Sequence, residues 1–163
     1  MKKSIVISVI FISIVLSGYS QVEKNTILLG GYTNFIFNTG GSTYFSLDPN
    51  SGFFISDKFC LGISVPVIYV SEEFYWGFTP FTRYYFKEKD KNSIFMSGAL
   101  GLTSLLESEN TISPGLISIG IGHVWFLNKC VGFETQLKVG TSFNDVSIGV
   151  HFGFQIYLNK KSE

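Results

Sequence analysis

Asp145-Val-Ser-Ile-Gly-Val-His-Phe-Gly-Phe-Gln-Ile-Tyr-Leu158 is the stretch on which the fold turns. Every even position from Val146 to Leu158 is apolar: Val146, Ile148, Val150, Phe152, Phe154, Ile156 and Leu158. The odd positions are Ser147, Gly149, His151, Gly153, Gln155 and Tyr157. A period of two sends these sets to opposite faces of one strand. The small and polar set cannot close-pack as an ordinary core, and the apolar set is too long for the water face of a soluble sheet. Apolar outside and polar inside, over about ten residues, is the pattern of a strand in a transmembrane barrel.

Working back along the chain, the same alternation recurs. Val131–Gly140 sets Val131, Phe133, Leu137 and Val139 against Glu134, Gln136 and Lys138. Pro114–Leu127 carries Ile117, Ile119, Ile121 and Trp125 against Ser118, Gly120 and Gly122, and Ser93–Leu105 places Ile94, Met96, Leu100 and Leu102 opposite Ser97, Ala99, Gly101 and Thr103. Phe74–Phe86 has Phe74, Trp76, Phe78, Tyr84 and Phe86 on one side and Gly77, Thr79 and Arg83 on the other. Phe59–Tyr69 alternates cleanly, and Thr26–Phe37 sets Ile27, Leu29, Phe35 and Phe37 against Gly30, Tyr32 and Asn34. Ser42–Ile55 keeps its parity across Asp48-Pro49-Asn50-Ser51-Gly52, which has turn chemistry. It reads as one strand with a Pro/Gly bulge in preference to two short strands.

The count is eight strands joined by hairpin-length connections. The expectation is an all-β, eight-stranded, antiparallel up-and-down transmembrane β-barrel, closed because open sheet edges cannot sit in lipid. With both ends of the barrel on one side, Ser56–Lys58, Lys87–Asn92 and Asn128–Lys129 form the turns there. Asn38–Gly41, Val70–Glu73, Glu107–Ser113 and Thr141–Asn144 form short loops at the other end.

Composition agrees. Aromatic residues make up 17% of the 163 and charged residues only 15%, against a usual charged fraction of about 25%. The formal net charge is zero, so nothing points to nucleic acid. Residues 1–20 read as a signal peptide: Lys2 and Lys3 begin it, Ile5–Leu16 is an apolar run too short to span a bilayer, and Gly18 and Ser20 prepare cleavage before Gln21. Residues 21–163 are then the barrel domain. Cys60 and Cys130 would meet an oxidising compartment, and the sequence leaves open whether they form a bridge.

Pro49-Asn50-Ser51-Gly52-Phe53-Phe54-Ile55-Ser56-Asp57 with Leu61-Gly62, then Pro80-Phe81-Thr82-Arg83-Tyr84-Tyr85-Phe86, and Glu134 in the seventh strand, carry a resemblance over Gln21–Leu158. The chain resembles the small, porin-like outer-membrane β-barrels of Gram-negative bacteria, of the OmpA/OmpX type. The resemblance implies a location in the cell outer membrane after export through the inner membrane. It also implies contact with outer-membrane lipid and the barrel-assembly machinery, and it supplies no catalytic residues.

The chemistry is correspondingly spare. His151 and Ser147 share a face, but no nucleophile elbow or ordered triad accompanies them. Two histidines without acidic or thiol partners at ligand spacing make no metal site, and no cofactor is implied. Trp76, Tyr69 and Phe74 are expected near the outer interface, and Trp125, Phe126, Tyr84, Phe86 and His123 near the inner one. The expected function is that of a non-enzymatic, monomeric outer-membrane barrel, structural or weakly channel-forming, with a polar and largely plugged lumen. A membrane-embedded lipid-modifying enzyme is the alternative, and a secreted lipocalin-like barrel, which needs an apolar inside, is the second. Lumen candidates are Arg83, Glu134, Gln136, Lys138 and His151. Arg83 and Glu134 fall at one depth by their distance from the nearest turns and are expected to pair, with His151 or Gln136 and Tyr85 in the same network.

Overall fold

The computed structural model describes residues 22–38, 43–70, 73–89, 92–101, 117–141 and 146–159. The signal reading of residues 1–20, the loop Glu107–Ser113 and the strand ends expected at 102–105 and 114–116 lie outside them.

The strand segments are β1 (Thr26–Asn38), β2 (Thr43–Ser56), β3 (Phe59–Ser64), β4 (Val67–Val70), β5 (Glu73–Trp76), β6 (Thr79–Lys89), β7 (Asn92–Leu100), β8 (Ile117–Phe126), β9 (Val131–Thr141) and β10 (Val146–Asn159). Neighbours run antiparallel in the order β1-β10-β9-β8-β7-β6-β3-β2, and β2 pairs back onto β1. That last pairing, from Ile27 opposite Phe53 to Phe37 opposite Thr43, closes a barrel of eight staves.

Two staves are broken where the sequence reads continuous strands. Phe59 faces Tyr84 and Ser64 faces Thr79, and beyond the break Val67 faces Trp76 and Val70 faces Glu73, so the register never shifts. The break is the work of two prolines. Val65 N–H donates to the Pro49 carbonyl at 2.9 Å and Gly77 N–H to the Pro66 carbonyl at 3.2 Å. Proline has no N–H, so the reciprocal bond of each pair is missing. One gap falls on either side of Val65-Pro66.

β2 is a single strand through Pro49, as expected, but without the Pro/Gly bulge: its register with β1 is uninterrupted. The irregularity lies further on, between Phe54 and Ser56 opposite β3. Just ahead of β1, Asn25 takes a positive φ of 69°, a conformation its short polar side chain tolerates.

Side chains obey the alternation. Along β10, Val146, Ile148, Phe152, Phe154 and Leu158 are exposed, while Ser147, Gly149, His151, Gly153, Gln155 and Tyr157 are buried. Ile119, Trp125, Leu137 and Phe35 face out from other staves, and Trp76 packs edge-on against Phe78 and Tyr84 against Phe86 on the same outer surface. Phe126 corrects the girdle assignment: it lies on the inner face, edge-on to Tyr157 at 5.3 Å. The side chains of Tyr69 and Phe74 are outside the described residues.

The inside is not uniformly polar, which is a second correction. At the end bearing the short turns, Leu28, Phe54, Phe95, Val124 and Tyr157 form a fully buried apolar cluster with Cys60 and Tyr85. An eight-stranded barrel is just wide enough for side chains to fill it, and bulky rings need gaps in the wall. Gly122 and Gly62 provide them: a Cβ at either would collide with the ring of Phe95 or Phe81. Cys60 and Cys130 are both buried and unbridged.

Candidate functional site

Polar chemistry gathers in the middle of the lumen, directly beside the apolar cluster. Arg83 projects inward from β6 and Glu134 from β9, and Arg83 Nη1 lies 3.2 Å from Glu134 Oε2. Only 3% of the arginine side chain and none of the glutamate is exposed. The Tyr32 hydroxyl donates to Glu134 Oε2 and the Tyr157 hydroxyl to Oε1. Tyr85 joins at one remove, its hydroxyl 3.3 Å from that of Tyr157. The carboxylate therefore has a guanidinium and two phenols in place of water, which a buried charge requires.

Aromatic rings complete the arginine's surroundings. Its guanidinium carbon sits 4.7 Å from the Phe81 ring centroid, 5.2 Å from Phe95 and 5.4 Å from Tyr32. Ring faces attract a cation, and more so when it is desolvated. The ion pair and the apolar cluster thus form one plug across the lumen.

The remaining candidates lie elsewhere. Gln136 donates to the Ser97 hydroxyl, and His151, opposite Gln136 in the β9–β10 ladder, meets the network only through its ring, edge-on to Tyr32 at 6.1 Å. Among the described residues neither shares a hydrogen bond with Arg83 or Glu134: Gly153 stands opposite Glu134 on β10, and Gln136, two residues along β9 from Glu134, turns to Ser97. Lys138 is half-buried and lines a polar cavity at the loop end of the lumen together with His151, Asp48 and Asn34.

Ser147 and His151 do not assemble as nucleophile and base. The Ser147 hydroxyl is directed at the Gly140 carbonyl, 3.4 Å away. His123 faces outward, its ring 4.0 Å from that of Trp125. Among the described residues no three of His, Cys, Asp and Glu cluster as metal ligands.

Sequence reasoning passed over Phe54, Phe95, Val124 and Tyr157 as plug residues. Parity had already put each on the inner face. What obscured them was the assumption that inward means polar.

No family model matches the sequence, and no curated protein matches it either. Solved structures do match. The N-terminal β-barrel domain of Pseudomonas aeruginosa OprF superposes with a TM-score of 0.60 at 15% identity, over 82% of this chain and 98% of that one. A de novo designed transmembrane β-barrel gives 0.59 at 9% identity, over 85% and 100%. Ail, the attachment invasion locus protein of Yersinia pestis, gives 0.55 at 8% identity, over 83% and 99%. At these identities the likeness is one of fold: the chain has the fold of small eight-stranded outer-membrane barrels.

Proposed function

We propose that this chain is an integral outer-membrane β-barrel with no enzymatic activity, structural in role and closed to appreciable flow. The observation that carries the reading is the reversal of ordinary burial. Ile119, Phe154 and Leu137 are 62%, 58% and 48% exposed, while Arg83 and Glu134 are 3% and 0% exposed. In water an apolar surface running around the whole barrel is a large unmet cost, whereas in a bilayer it is the requirement. A secreted lipocalin-like barrel needs the opposite arrangement. Among the described residues the lipid-modifying alternative has no assembled nucleophile to support it: the Ser147 hydroxyl is directed at Gly140, not at His151.

Residues 1–20 serve in this reading as the export signal, and the barrel-assembly machinery inserts a monomer into the outer membrane. Closure of the lumen rests on the Arg83–Glu134 plug and the aromatic cluster beneath it. Fractionation of cells tests the location: mature protein is expected with the outer membrane, migrating faster on a gel unheated than boiled. Recovery as a soluble periplasmic protein overturns the proposal. Planar-bilayer recording tests the closure, with small or absent conductance expected from the wild-type barrel and large steady channels counting against it.

A further inference from the structure

Beyond the plug, toward the loop end, the lumen opens into a polar cavity with about 40 Å³ available to the centre of a water-sized sphere, room for a guest of a few heavy atoms. Its two walls differ in chemistry. On β1 and β2, Asn34 Oδ1 and Asp48 Oδ1 are buried oxygens without a hydrogen-bond partner among the described residues, and the two residues are only 2% and 7% exposed. The Asn34 amide is committed by its nitrogen, which donates to Ser46 Oγ at 3.0 Å and leaves the oxygen as an acceptor. On β9 and β10 stand Lys138 and His151, and the Lys138 ammonium is in electrostatic reach of both Asp48 and His151. His151 Nδ1 is likewise buried and unpartnered.

The wall around Lys138 is cut back to seat the long side chains of Lys138 and His151 on the cavity's edge. Its ladder partners on both sides, Gly120 and Gly149, are glycines. A Cβ at Gly120 would stand 2.8 Å from Lys138 Cγ, and one at Gly149 would stand 2.8 Å from His151 Nε2. On the plug side a smaller polar pocket adjoins it, sharing Asp48 and Lys138 and reaching Tyr32 and Arg83.

Buried polar atoms left unpaired are costly, and here Asn34 Oδ1 and Asp48 Oδ1 stand on one wall and His151 Nδ1 on the other, where the Lys138 ammonium supplies the positive charge. A simple anion would face Asp48, and a simple cation would face Lys138. We propose that the cavity binds a small dipolar solute. Its anionic end lies against Lys138, and its hydrogen-bond-donating end, ammonium or hydroxyl, lies against Asp48 and Asn34. This goes beyond a closed structural barrel, and it requires the barrel fold but not the membrane address, so its failure and the failure of the location are separate results.

The test uses the full-length mature protein, refolded in detergent and checked by heat-modifiable migration, with glycolate, glycine, acetate and methylammonium as probes in ligand-observed NMR titrations. Glycolate and glycine are expected to bind saturably, and acetate and methylammonium at least about tenfold more weakly, the loss for one charge-assisted contact. Lys138→Gln is expected to remove the preference for the two dipolar probes over methylammonium, and Asp48→Asn to weaken glycine more than glycolate. Should either variant fail to fold, discrimination among the four probes by the wild-type barrel decides. Equal affinity for all four, no saturable binding by any, or unchanged glycolate binding in folded Lys138→Gln overturns the proposal.

Discussion

Arg83 Nη1 stands 3.2 Å from Glu134 Oε2 although β7 and β8 separate their strands around the wall, so the contact bridges the lumen itself. Removing one partner leaves a buried charge facing two phenols or three rings. Arg83→Met and Glu134→Gln are each expected to cost about 3–5 kcal/mol, and the double variant much less than the sum. Urea unfolding in lipid vesicles measures this, and strict additivity would show that the pair is not coupled.

The outer face predicts a depth-dependent penalty. Leu137 and Phe154 point outward at 48% and 58% exposure, whereas Ser147 points into the polar cavity. Leu137→Arg and Phe154→Arg are each expected to lose about 2–4 kcal/mol in a bilayer, and Ser147→Arg less. Equal losses in a refolding titration would mean that the faces are reversed.

Gly122 is the seat of the Phe95 ring. Gly122→Ala is expected to destabilise by about 1–3 kcal/mol through overpacking. Phe95→Leu in the same chain restores most of it, because the ring is what the methyl meets. A double-mutant cycle without coupling contradicts the packing.

Cys60 and Cys130 are 0% and 1% exposed and unbridged. A thiol reagent is therefore expected to find no reactive cysteine in the folded barrel and two after denaturation without reductant. One or none after denaturation would indicate oxidation or a bridge.

Ser147→Ala and His151→Ala are expected to leave the purified protein as inactive toward phospholipid as the wild type, since the serine hydroxyl is directed at Gly140 and not at the histidine. Turnover by the wild type that disappears in His151→Ala would establish the enzymatic alternative.

The sequence alone determined the faces. A strand has a period of two, so each residue's side follows from its neighbours: Phe152 out and His151 in need no tertiary information. Hairpin-length connections then order the staves, and distance from the nearest turn set Arg83 and Glu134 at one depth. Tertiary structure decided what depends on more than one hairpin. Closure brings β1 against β2 and β10 together, and so lets Tyr32 and Tyr157 reach the same carboxylate. The two missing proline donors interrupt a pair of staves only because Pro49 meets Val65 and Pro66 meets Gly77 across the ladder. The lumen fills half with rings and half with polar groups, because filling depends on which inward side chains share a layer. That layering is set by the stagger of the closed barrel, which no single strand records.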